Sequence, residues 1–128
     1  MGRIKLKNRI QSFGYAWKGI RSFVTQEHNA WIELAIAVLT LIAGYLFEIR
    51  TIEWIAVIFC IGMVLAAEAI NTAIERLVDM VSPEKNPSAG NIKDIAAGAV
   101  LICSIAAIII GIIIFLPYVL RLFGFPIG

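Results

Sequence analysis

"WIAVIFCIGMVLAAEAINTAIERLVDMV" (residues 54–81) decides the fold of this chain. The first 14 residues of the stretch, 54–67, are uncharged, and after them come Glu68, Asn71, Glu75 and Asp79. At about 100° of rotation per residue these four side chains fall at roughly 0°, −60°, −20° and +20°, a single narrow stripe of a helix. Ile70, Ile74, Leu77 and Val78 cover the opposite and flanking surface. A rise of about 1.5 Å per residue carries Glu68 ~21 Å into a hydrocarbon core about 30 Å thick, so it lies in the cytoplasmic half with Asp79 near the surface. A carboxylate inside the membrane costs ~2.5 kcal/mol or more and marks a pathway or a site. Interhelical polar glue needs one polar group, and this stripe has four. Asp79 taken alone reads as a solvated helix end.

The composition agrees with a membrane reading. Of 128 residues 60% are hydrophobic and only 16% charged, with a mean hydropathy of +0.88, more apolar surface than one water-soluble core absorbs. "AAGAVLICSIAAIIIGIIIFLPYVL" (residues 96–120) is also uncharged and exceeds the ~20 residues needed to cross a bilayer. The N-terminal segment is no signal peptide, because Arg3, Lys5, Lys7, Arg9, Lys18 and Arg21 interrupt any apolar region. These six, of eleven Lys and Arg in all, suit contact with an anionic membrane surface and not with nucleic acid. Cys60 and Cys103 fall inside apolar spans with no Cys/His cluster, and read as inert reduced thiols.

The expected architecture is an all-α membrane protein forming one domain over residues 1–128. Residues 3–25 place Ile4, Leu6, Ile10, Phe13, Trp17, Ile20 and Phe23 among basic residues, the pattern of an amphipathic helix lying on the bilayer. Three spans follow, at about 31–47, 54–81 and 92–115, with Asn29 as N-cap of the first, residues 82–91 as a loop, and Pro117 ending the third. Arg3, Lys5, Lys7, Arg9, Lys18, Arg21, Arg76, Lys85 and Lys93 fall on one side, against Arg50 and Arg121 on the other, which sets the N-terminus in the cytoplasm. Ala99, Cys103, Ala107 and Gly111 form a small-residue ridge suited to tight helix packing. Three such helices offer little interior for polar groups, so several chains are expected to associate.

Two further acids, Glu27 and Glu33, stand at the start of the first span. Oxygen ligands from Glu27 and Glu75 suit a hard divalent cation such as Mg²⁺, which points toward phosphate chemistry. His28, alone in a polar turn, reads as solvated. "GYAWKGIR" (residues 14–21) has the GxxxxG spacing of a P-loop, but Ile20 and Arg21 stand where Lys and Ser or Thr are needed, and no strand precedes it. From the residues alone, a membrane enzyme and a small proton-coupled transporter using the Glu68 stripe both remain open.

"EAINTAIERLVD", followed by "KDIAAGAVL", together with "GYAWKGIR" and "EHNAWIE", resembles the small prokaryotic integral-membrane diacylglycerol kinase family, which includes the undecaprenol kinases of Gram-positive bacteria. The resemblance spans nearly the whole chain. It implies a homotrimer in the bacterial cytoplasmic membrane, each chain with three transmembrane helices and a surface helix, moving the γ-phosphate of MgATP to a lipid hydroxyl. It further implies that Glu68 takes the proton of that hydroxyl, that Glu27 and Glu75 hold Mg²⁺, and that Asn71 supports them. Tyr15, Glu84, Lys85, Asn86, Lys93 and Asp94 would contact nucleotide, and Glu33 would line the lipid entrance. Ala96 and Ala97 stand where the Gram-negative type has a Gly-Ser pair, and Ile32 replaces a polar residue. Both differences touch the lipid pocket, and with "IEW" and "IIGIIIFLP" they favour undecaprenol over diacylglycerol as the lipid.

Overall fold

The computed structural model describes residues 2–126, with side chains from residue 5 onward; the side chains of Arg3 and Ile4, and residues 1, 127 and 128, lie outside the described residues. Four helices follow one another: α1 (Gly2–Gln26), α2 (His28–Leu46), α3 (Thr51–Val81) and α4 (Pro87–Leu122). The last three are long and apolar enough to cross a membrane. Their 19, 31 and 36 residues correspond to about 28, 46 and 54 Å, so α3 and α4 outreach a hydrocarbon core of about 30 Å.

The helix boundaries differ from the sequence expectation in instructive ways. Only Glu27 separates α1 from α2, and Glu27, not Asn29, holds the extended N-cap backbone, without a side-chain cap. α3 begins at Thr51 because Glu53 accepts the backbone N–H of Arg50 at 3.0 Å. α4 begins at Pro87, not near Ile92: Asn86 Oδ1 accepts the N–H of Ser88 at 2.9 Å, and proline occupies the first turn where no N–H is needed. The loop is therefore shorter than residues 82–91. Nor does Pro117 end the helix, which runs on to Leu122. In lipid an unwound backbone finds no partner, so losing one N–H at Pro117 costs less than breaking the helix there.

Along the bundle axis, the interior changes character in three steps. At the end where α2 stops and α3 starts, Ile49, Val57 and Ile114 form a core, flanked by Trp54, Phe47 and Phe115, with the Phe47 and Tyr118 rings 5.8 Å apart. The turn into it closes with Glu48 at φ 52°, while the N–H groups of Ile49 and Glu48 reach back to the carbonyls of Gly44 and Tyr45. Gly44 is required there: a Cβ would stand 2.9 Å from the Trp54 ring. On α4, by contrast, a Cβ on Gly111 meets nothing within 4 Å in this chain. Instead Ala107 and Gly111 line the second layer, a mainly apolar cavity of about 510 Å³ between α2, α3 and α4. The third layer is the polar stripe of α3.

Glu53, 9% exposed, ties the first layer together. It accepts hydrogen bonds from Tyr118 Oη on α4 and from Arg50 Nε at 3.2 Å. Hydrogen bonds to charged groups are worth about 1.5–3 kcal/mol, so Tyr118→Phe is expected to lower stability by about 2 kcal/mol in a detergent unfolding titration while activity changes little.

Candidate active site

α3 turns its polar stripe inward. Glu53, Val57, Cys60, Val64, Thr72 and Val78 are the buried positions of α3, and at about 100° per residue they fall on or beside the helix face of Glu68, Asn71 and Glu75, which are half-buried. On the opposite face Ile70 and Leu77 are 61% and 58% exposed. A membrane helix with its apolar residues outside and its acids inside leaves those acids facing a protein-lined interior, the arrangement expected of intramembrane ionisable groups.

Within the stripe, Asn71 Nδ2 donates to Glu75 Oε1 at 3.3 Å. Asn71 Oδ1 is buried and has no hydrogen-bond partner. A buried amide oxygen left unpaired is uncommon and calls for a ligand or a water. Glu75 follows Glu68 by about two turns on the same face of α3, while Glu33 stands on α2 and Glu27 at the α1–α2 junction, both packed beside α3. Glu33 also lines the apolar cavity, together with Val64 and Leu65 one turn before Glu68. Of the acids singled out, Glu33 is thus the one on the cavity wall, and Glu68 follows Val64 of that wall by about one turn of α3.

Two ion pairs join the helices toward the side of the short loop. Arg76 Nη2 donates to Glu27 Oε1 at 3.1 Å, joining α3 to the α1–α2 junction. Lys93 Nζ donates to Asp79 Oδ1, joining α4 to α3. Asp79 is therefore more than a solvated helix end, although its side chain is largely exposed. The partner lies 14 residues away across a turn, beyond the reach of helical spacing arguments.

The remaining positions singled out in the sequence are dispersed. Asp94 and Ala97 are exposed near the start of α4, with Ala97 one turn beyond Lys93. Glu84, Lys85 and Asn86 are exposed in the loop, where the Glu84 carbonyl accepts from Ser82 Oγ and Asn86 caps α4. Tyr15 is exposed on α1, its ring 5.8 Å from Lys18 Nζ, about two helical turns short of Ser22, where α1 meets α3. His28 is exposed in the first turn of α2. Both cysteines are free. Arg76 and Ser22, which spacing did not single out, are brought to the site by the fold.

As donors, Asn71 Oδ1 and the carboxylates of Glu27 and Glu75 are all oxygen, the ligand type Mg²⁺ takes. Among the described residues no three acids, histidines or cysteines converge to hold a metal unaided. That suits Mg²⁺, which commonly uses one or two carboxylates and completes its shell with substrate phosphates and water.

The sequence profile of prokaryotic diacylglycerol kinase matches residues 14–115, from the middle of α1 to the far end of the apolar cavity. The chain belongs to the prokaryotic diacylglycerol kinase family. Among relatives in this family, the undecaprenol kinase of Bacillus subtilis is 39% identical over 115 residues, 90% of this chain and 94% of the relative. The diacylglycerol kinase of Synechocystis is 34% identical over 116 residues, 90% of this chain and 66% of the relative. That of Escherichia coli is 31% identical over 100 residues, 78% of this chain and 82% of the relative. Membership of this kinase family makes the chain a lipid kinase, and its three apolar helices make it a membrane one.

Proposed function

We propose that this membrane lipid kinase transfers the γ-phosphate of MgATP to the hydroxyl of a membrane lipid alcohol, with undecaprenol favoured over diacylglycerol. The observation that carries the reading is the unpaired buried Asn71 Oδ1 beside Glu75, on the inward face of α3 beyond an apolar cavity whose wall includes Glu33. Such a place can meet a lipid hydroxyl from one side and a charged nucleotide from the other. The greater identity to an undecaprenol kinase supports the choice of lipid.

In this reading Glu68 accepts the proton of the lipid hydroxyl as its oxygen bonds to the γ-phosphorus, and the bond to the β,γ-bridging oxygen breaks to release ADP. Glu27 and Glu75 hold Mg²⁺ with Asn71 supporting them. Bound there, Mg²⁺ supplies neutralisation of the charge that develops on the phosphates. Lys93 stands at the phosphates with Asp94, and Asp79 holds the Lys93 ammonium in place. Tyr15, Glu84, Lys85 and Asn86 line the approach of the nucleotide, and Glu33 and Ala97 the approach of the lipid. Most of the catalysis is positioning and charge neutralisation, which a ring of fixed side chains provides.

The same reading sets α1 on the cytoplasmic surface of the bacterial inner membrane. Leu6, Ile10, Phe13, Trp17 and Ile20 are all exposed and lie within about 40° of one line along α1, a stripe of apolar anchors between basic residues. Association into a homotrimer would cover part of the apolar surface of the spans. Side-by-side assays of purified protein in mixed micelles with labelled ATP and Mg²⁺ test the function. Phosphate transfer to both lipids, faster to undecaprenol, is the expected result. Flux of a solute driven by a pH gradient without ATP would instead support the transporter.

A further inference from the structure

We infer that Arg76 is a positioning residue: it aims the Glu27 carboxylate at the metal nucleotide and thereby couples the surface helix to the site. The inference rests on the reading of Glu27 as a Mg²⁺ ligand. Glu27 is the lone residue between α1 and α2, and although it stands at the N-cap of α2 its side chain makes no cap there. Its carboxylate is turned instead to α3, where Arg76 Nη2 donates to Oε1 at 3.1 Å. The other arm of the same guanidinium, Nη1, donates to Ser22 Oγ at 3.3 Å, in the last turns of α1. Among the described residues these are the side-chain hydrogen bonds that tie α1 and its junction to the spans.

Stability alone gives little reason for the pair. The side chains of Arg76 and Glu27 are 44% and 33% exposed, and exposed ion pairs contribute little to folding. What a planar two-armed donor adds is direction. By holding Ser22 and one carboxylate oxygen at once, Arg76 fixes the rotation of Glu27 and leaves Oε2 without a share in the pair. Lysine keeps the charge but holds only one acceptor in a fixed direction. Removing a partner that orients a metal ligand typically costs 10–100-fold in metal affinity or activity.

The test is Mn²⁺ binding in the presence of adenylyl imidodiphosphate, followed by electron paramagnetic resonance, on the intact protein and on Arg76→Gln, Arg76→Lys, Ser22→Ala and Glu27→Gln. Arg76→Gln is expected to weaken binding about tenfold or more and to raise KM for MgATP in parallel, with KM for the lipid unchanged. Arg76→Lys falls between, Ser22→Ala shifts the same way by less, and adding Arg76→Gln to Glu27→Gln weakens binding no further. Should Glu27→Gln bind weakly while Arg76→Gln and Arg76→Lys bind as the parent does, Arg76 does not position Glu27, yet Glu27 remains a ligand. Undiminished binding by Glu27→Gln removes the ligand reading itself, and the inference with it. Ser22→Ala and Arg76→Lys, as milder changes, keep the comparison available if Arg76→Gln does not fold.

Discussion

Replacing Glu68 by Gln is expected to lower kcat by about 10²–10⁴-fold, the range that general base catalysis supplies, while KM for MgATP stays near its parent value. The substitution keeps the shape and removes the charge, so it tests chemistry before packing. Glu68 is half-buried on the inward face of α3. Gln is isosteric with Glu, so helix content and assembly are expected to be retained. A stable trimer or monomer with intact helix content and no turnover is the outcome that assigns Glu68 to the reaction. The pH profile separates this from a binding defect: a base must be ionised, so the parent rate falls toward acid, and the residual rate of the variant loses that limb. Parent-level turnover in Glu68→Gln would remove it from the proton transfer.

Each feature is legible in the sequence to the extent that the interaction behind it is local. The stripe of Glu68, Asn71 and Glu75 follows from helix geometry alone, and the fold turns it inward with Ile70 and Leu77 outside. The three spans are legible because uncharged runs of that length have few other uses. Their ends are less so. The "NPS" at 86–88 carries a cap and a first-turn proline, a start signal that reads equally as a loop, and Pro117 reads as a stop unless lipid forbids the alternative. The end of α2 falls within one residue of the expected 47, but the turn after it is not legible, because Glu48, and not glycine, takes the left-handed position beside the packing of Ile49 against Gly44. The cross-helix partners are out of reach in principle. Arg76 and Glu27 are 49 residues apart and Tyr118 and Glu53 are 65 apart, and no periodicity in one sequence relates positions so distant. The cavity, likewise, is a property of three helices together and has no signature in any one of them.

Glu75→Gln is expected to cost several kcal/mol of transition-state stabilisation, or about a 10³-fold drop in kcat/KM for MgATP, if Glu75 holds the metal. The loss should be of a different kind from that of Glu68→Gln. A Gln side chain at position 75 still offers an oxygen to Asn71 Nδ2, so the 3.3 Å hydrogen bond and the local packing are preserved. What disappears is the negative charge next to Asn71 Oδ1, the unpaired oxygen that a cation would satisfy. An amide oxygen is a weaker ligand for Mg²⁺ than a carboxylate but remains one, so the defect should be partly reversed by raising Mg²⁺ at constant ATP. Initial rates measured across a Mg²⁺ titration give the answer: a half-saturation point displaced to higher Mg²⁺ in Glu75→Gln, with no displacement in Glu68→Gln, divides the stripe into a metal ligand and a base. A rate in Glu75→Gln that is depressed equally at every Mg²⁺ concentration would place Glu75 with the proton-handling groups, and would leave Asn71 Oδ1 to be satisfied by the nucleotide or by water.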